Sequence, residues 1–275
     1  KYGSFANLFA NKIINVGPFQ DTVIPKALYD FMSDQDIENV FSQSQLVFPE
    51  MTGLSDQLTD AFRRYAYYFP NRKVPQVVTF ISGFNYAIIT SDSTLGIGLD
   101  MYLGKDYEYY FMLRYPEYKR RNMVPESIAS DCIRGWLTSE YVNDSQESLV
   151  NQMIYYGKVL YAMDAIFPKM NDFSKIGFSE EELLWCETNE SNIWTFCIDN
   201  DLLYSTDPGE IIKYIGEAPF TAGFSKDSPG RTGWWLGWQI VRSYMASHSE
   251  ISIQELMEFD DEQKILTASN YKPRR

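Results

Sequence analysis

The sequence predicts an α+β fold that is mostly helical, with one small β-sheet between N-terminal and C-terminal helices. Three observations carry this. Apolar residues recur at helical spacing through the first third of the chain and again beyond Pro125. Between those regions, Val77-Val78-Thr79-Phe80-Ile81, Tyr86-Ala87-Ile88-Ile89-Thr90 and Leu95-Gly96-Ile97-Gly98-Leu99-Asp100 read as three successive strands, a small antiparallel or mixed sheet. No internal repeat or low-complexity linker divides the chain. Residues 1–275 are therefore expected to form one domain, long enough to bury a sizeable core.

In order, Phe5, Leu8, Phe9, Ile13 and Ile14 form a helical stripe ended by Gly17-Pro18. Asp34 is placed to cap a helix containing Ile37, Val40 and Phe41. Ser55 is expected to cap another, running through Leu58, Phe62 and Tyr65 to a stop at Pro70. After the strands, Ile128, Cys132, Trp136 and Leu137 mark a helix ending near Tyr141, and a long helix is expected from Gln146 to Phe167. Ser179 followed by three glutamates starts a helix, because acids there match the positive N-terminal dipole. That helix is expected to continue through Trp194 toward Leu203, with a last short helix from Ser252.

The most unusual stretch is Ser228-Pro229-Gly230-Arg231-Thr232-Gly233-Trp234-Trp235-Leu236-Gly237-Trp238. It reads as a helix starting near Ser228, with Pro229 in the first turn. Gly233 and Gly237 lie one turn apart, and each costs about 1 kcal/mol against alanine in a helix interior. Close approach of another backbone or of a ligand is the expected compensation, and the expected neighbour is the helix of residues 126–141 or the one beginning near Gln146. The segment then reads either as a packed core helix or as one lining a groove with Arg231, Trp234 and Trp238.

Composition narrows the chemistry. The formal net charge of −13 disfavours nonspecific binding to nucleic acid or anionic lipid. No run of apolar residues is long enough to span a membrane. The chain opens without Met inside an amphipathic pattern, so it is read as a mature or truncated form. Cys132, Cys186 and Cys197 are odd in number and form no CxxC, which reads as buried free thiols. The single histidine, His248, is read as a surface residue. One histidine cannot supply a His-Glu-x-x-His zinc site, and no Gly-x-Ser-x-Gly or phosphate-binding glycine loop is present. Carboxylate chemistry stays open through Asp100, Asp106, Asp131 and Asp164, although nothing in the sequence pairs them.

Several ordered motifs carry a resemblance: Gly83-Phe84-Asn85, Leu99-Asp100-Met101-Tyr102-Leu103-Gly104, Leu184-Trp185-Cys186, Leu202-Leu203-Tyr204-Ser205-Thr206-Asp207, Ala218-Pro219-Phe220-Thr221 and Ser228-Pro229-Gly230-Arg231-Thr232-Gly233. The chain resembles the gliding-motility-associated lipoprotein GldB family of Bacteroidetes over nearly its whole length. That family is in turn similar to zinc peptidases of predicted zincin-like fold. The resemblance sets Ser130-Asp131-Cys132-Ile133-Arg134 where such peptidases carry their ligand helix, with both histidines absent. It implies a peptidase scaffold kept for binding. It also implies a lipid anchor upstream of Lys1, a place on the periplasmic side of the membrane, and association with gliding and type IX secretion machinery.

Three readings of function follow. The first is a noncatalytic, membrane-tethered interaction protein with a protein partner, no metal and no cofactor. The second is a binder of peptide or saccharide through an aromatic groove, and the third a carboxylate-dependent hydrolase. The candidate degenerate site and groove comprise Asp100, Asp131, Arg134, Arg231, Trp234 and Trp238. Arg134, permanently charged, is expected at the edge of the apolar stripe, paired with Asp131 or Asp100.

Overall fold

In the computed structural model, residues 3–18, 20–142 and 148–274 are described. They divide into two compact units. The first comprises residues 1–60 and 73–136, and the second comprises residues 61–72 and 137–275.

The first unit begins with α1 (Gly3–Leu8), which continues as a π-helical turn over Phe9–Ile13. Then come α2 (Ile24–Met32), α3 (Gln35–Val47) and the first part of α4 (Thr52–Tyr68). Asp34 caps α3, accepting from the backbone N–H groups of Asp36 and Ile37 at 2.9 and 3.2 Å. The α4 helix begins at Thr52, three residues before the expected cap, so Ser55 lies within its first turn.

The sheet contains β1 (Gln76–Phe80), β2 (Ile88–Ser91) and β3 (Thr94–Gly98) in the order β1-β3-β2. β1 runs parallel to β3 and β2 antiparallel, so the sheet is mixed. The central strand is buried at every residue. The expected third strand stops at Gly98, because Leu99–Met101 turns into a short 3-10 helix. Phe5, Phe9 and Ile13 cover one sheet face by packing on Phe80 and Ile89. Two short helices, α5 (Glu108–Met112) and α6 (Glu117–Arg120), lead to α7 (Ile128–Glu140), whose first part completes this unit.

The second unit is helical. Its centre is α8 (Leu149–Ile166), capped by Ser148 and buried along most of its length. The expected start at Gln146 lies outside the described residues. After α9 (Asp172–Ile176), Ser179 and Glu182 form a reciprocal capping box at the start of α10 (Glu180–Thr188). The single helix expected from Ser179 toward Leu203 is instead two. The amide side chain of Asn189 donates to the Trp185 carbonyl at 2.9 Å, satisfying an end-of-helix acceptor. A new helix, α11 (Glu190–Asp199), then starts.

Next is α12 (Pro208–Ile215), with Asp207 as its cap. The glycine-rich helix α13 (Thr232–Ser247) starts four residues later than expected. The reason is local. Arg231 adopts φ 57°, a left-handed conformation that breaks the helix, and Ser228 and Pro229 are tied to Thr221. A Ser252–Glu255 capping box begins α14 (Ile253–Glu258), and α15 (Glu262–Ser269) follows.

The α8–α13 contact is the core of this unit. A methyl group at Gly237 would overlap the Met153 carbonyl, and one at Gly157 would overlap the Gly237 carbonyl. The two backbones therefore touch where both helices lack side chains. At Gly233 the added carbon would stand 2.9 Å from the Ile215 side chain and 3.0 Å from the Tyr214 carbonyl. The expected compensation for the interior glycines is thus present, supplied at Gly237 by the long helix that follows residue 148.

Candidate functional site

The six candidate residues fall into two groups, one in each unit. In the first unit, α7 presents Asp131 and Arg134 one turn apart. Arg134 forms the expected ion pair with Asp131 through Nη2 and Oδ1, with both side chains largely buried. The other carboxylate oxygen of Asp131 accepts a hydrogen bond from the Tyr102 hydroxyl at 2.9 Å. Burial, reinforced by the negative charge of Asp131, pushes the Tyr102 hydroxyl well above its ordinary pKa, so this phenol stays a donor.

Asp100 is not part of that pair. Its side chain is fully buried and turned into the loop between β1 and β2. Oδ2 accepts from the Ser82 N–H at 3.0 Å, the Ser82 hydroxyl at 3.0 Å and the Phe84 N–H at 2.6 Å. Its Oδ1 has no hydrogen-bond partner among the described residues. Burial raises the Asp100 pKa, against the lowering effect of the Phe84 and Ser82 donors.

This carboxylate holds a backbone that needs holding. Gly83 and Phe84 both have positive φ, 70° and 65°, and a bulky residue rarely adopts that conformation. Aromatic stacking adds to the clamp. The Phe84 ring stacks on Tyr109 at 5.8 Å, and the Tyr115 hydroxyl donates to the Phe84 carbonyl at 2.9 Å. The Gly83-Phe84-Asn85 motif and the Leu99–Gly104 motif are therefore the two halves of one structural lock.

In the second unit, Trp238 is fully buried. Its indole N–H donates to Asp164 Oδ2 at 3.0 Å, and the Arg242 guanidinium lies 3.8 Å from its ring centroid. Asp164 also accepts from Lys175 at 2.7 Å and from Arg242. The groove reading of this residue is corrected: α13 turns Trp235 and Trp238 into the core, because its glycine face packs directly on α8.

Trp234 is half-buried and stacks on Tyr156 at 3.9 Å and 9°. The Arg231 guanidinium lies 5.1 Å from the same ring and 3.9 Å from Glu217. His248 is half-buried rather than fully exposed, stacking on Tyr244 at the end of α13. The three cysteines are buried and free. Burial raises their thiols above the ordinary value.

Nothing in the sequence joins Asp164 to Asp172, Lys175 and Arg242, a charge cluster whose members come from three helices. Nor does the sequence show the buried Lys158–Glu262 pair at 3.1 Å. Among the described residues, no group of three or more His, Cys, Asp or Glu side chains is placed to hold a metal ion.

Two helical units, one carrying a small mixed sheet, define a mostly helical α+β protein. No described helix is long and apolar enough to cross a membrane. The family model for the gliding motility protein GldB, labelled as a lipoprotein family, matches residues 1–273, and the chain belongs to this family. No curated protein and no solved structure matches it.

Proposed function

We propose that this chain is a noncatalytic interaction protein, a lipid-anchored body on the periplasmic side of a bacterial membrane that docks a protein partner in a gliding-associated assembly. Membership of the GldB family supports the setting. The observation that supports the noncatalytic part is how the two candidate acids are used. Both Asp131 oxygens are engaged, one by Arg134 and one by Tyr102. Asp100 is closed into the Ser82–Phe84 loop with no exposed surface. A general acid or base has to reach the proton it moves, and these carboxylates serve the chain's own backbone and side chains. On this reading the body is a zincin-like scaffold whose ligand helix has exchanged imidazoles for the Asp131–Arg134 pair.

Asp131→Asn tests it, because asparagine keeps the size and an acceptor for Tyr102. The variant, expressed in the native host in place of the parent, is expected to support the full cellular phenotype. A folded Asp131→Asn protein that abolishes the phenotype would favour carboxylate catalysis and overturn the proposal.

A further inference from the structure

The sheet of the first unit ends at β1, which has β3 on one side and, among the described residues, no strand on the other. Gln76 donates to the Ser93 carbonyl at 2.8 Å, toward β3. Peptide groups alternate sides along a strand, so those of Val77 and Thr79 point outward. Beside this edge lies a groove of about 430 Å³, walled by α2, α3 and residues 79–81. Its lining is apolar, with Phe9, Leu28, Phe31 and Ile37 among the wall residues. Met32 and Phe41 also line it and are 68% and 55% exposed, high for large apolar side chains.

The two helical walls are mostly acidic. Residues 20–48 carry Asp21, Asp30, Asp34, Asp36 and Glu38 against Lys26 alone, and Glu38 itself lines the groove. An open strand edge, an apolar trough and a strongly acidic chain together fit one occupant. We infer that the groove takes an extended protein segment that alternates apolar with basic residues and adds as a fourth strand beside β1. Main-chain hydrogen bonds to Val77 and Thr79 supply affinity. Apolar side chains enter the trough beside Met32 and Phe41, and the basic ones, which alternation turns to the opposite face of the added strand, are drawn by the chain's net charge of −13. This site rests on the interaction reading above and gives the partner a chemistry.

The test uses the full chain and a short fluorescent peptide alternating valine and lysine, at physiological salt, read by anisotropy. Three controls accompany it: the same peptide N-methylated at alternate residues, a version with glutamate for lysine, and the Met32→Ser/Phe41→Ser protein. Both substituted residues are exposed, so an unchanged melting curve certifies the fold. The parent peptide is expected to bind saturably, with affinity about tenfold or more weaker for each control. Equal binding of the N-methylated peptide, or equal binding by the Ser/Ser protein, would overturn the proposal. So would concentration-dependent self-association lost in the Ser/Ser protein, which would assign the groove to a second copy of the chain. If no peptide binds, the groove proposal fails while the interaction reading stands, since partner capture in the host tests that separately.

Discussion

The α8–α13 pair and the face formed by β1, α2 and α3 handle apolar surface in opposite ways. Along α13, glycine at 237 lets two backbones meet, and Trp235, Leu236, Trp238 and Ile240 are all but inaccessible. Two buried polar groups there find partners inside the unit, Trp238 with Asp164 and Lys158 with Glu262. On the other face, Met32 and Phe41 stand exposed beside an unpaired strand edge. Tight helix packing of the first kind accounts for stability and leaves nothing for a partner to recognise. The second face carries unspent apolar area and unpaired backbone groups, which are what a partner can use. The unusual motif in the sequence thus marks the architectural centre of its unit, and the inconspicuous amphipathic helices border the surface suited to recognition.

Four expected outcomes sharpen or break this contrast. The largest concerns the closed side. Glu262→Ala strands the buried Lys158 ammonium, which then keeps only the Phe259 carbonyl at 2.7 Å from its polar contacts here. Chemical denaturation should show a loss of roughly 3–5 kcal/mol. Gly237→Ala comes next, at about 3 kcal/mol, because the new methyl meets the Met153 backbone, which cannot swing aside as a side chain would. A thermal melt at or above that of the parent would mean the helices are not in backbone contact.

The third outcome is a pH dependence. Burial raises the folded pKa of Asp100 above its unfolded value. Its contribution to stability is therefore fully present below the ordinary carboxylate range and is lost as pH rises through the folded value. Asp100→Asn stays neutral and cannot lose stability this way. Its stability relative to the parent should improve between about pH 4 and about pH 7, followed by urea unfolding at each pH. A flat difference would show that the Ser82 and Phe84 donors fully offset burial. The smallest effect belongs to an unpacked position. A methyl at Gly53, in the first turn of α4, meets nothing within 4 Å, so Gly53→Ala should gain about 0.5 kcal/mol in a thermal melt.

Much of this was legible in the sequence. Capping chemistry located α3 and α10, because Asp34 and Ser179 act on their own next turn. The β-rich runs located the sheet, and the cost of two helix glycines foretold a close neighbour. The Asp131–Arg134 pair was readable because its partners lie one turn apart. Long-range events left no such trace. The loop that receives Asp100 is 16 to 18 residues away in sequence, and Glu262 is 104 residues from Lys158. The sequence sets the start of α13 four residues early because Pro229 is acceptable in a first turn, and nothing local announces the left-handed Arg231 that excludes it. Tryptophans beside a glycine stripe suit a groove and a core equally well, and only packing separates the two.

The proposed function has the protein work through an exposed face, with its buried carboxylates kept for structure. The most direct measurement is chemical crosslinking in the native host, followed by identification of captured proteins, with the parent, Asp131→Asn and Met32→Ser/Phe41→Ser chains at equal abundance. The same captured partner is expected for the parent and Asp131→Asn, and its loss with Met32→Ser/Phe41→Ser. An unchanged partner with the groove variant, together with loss of the cellular phenotype in Asp131→Asn, would contradict it.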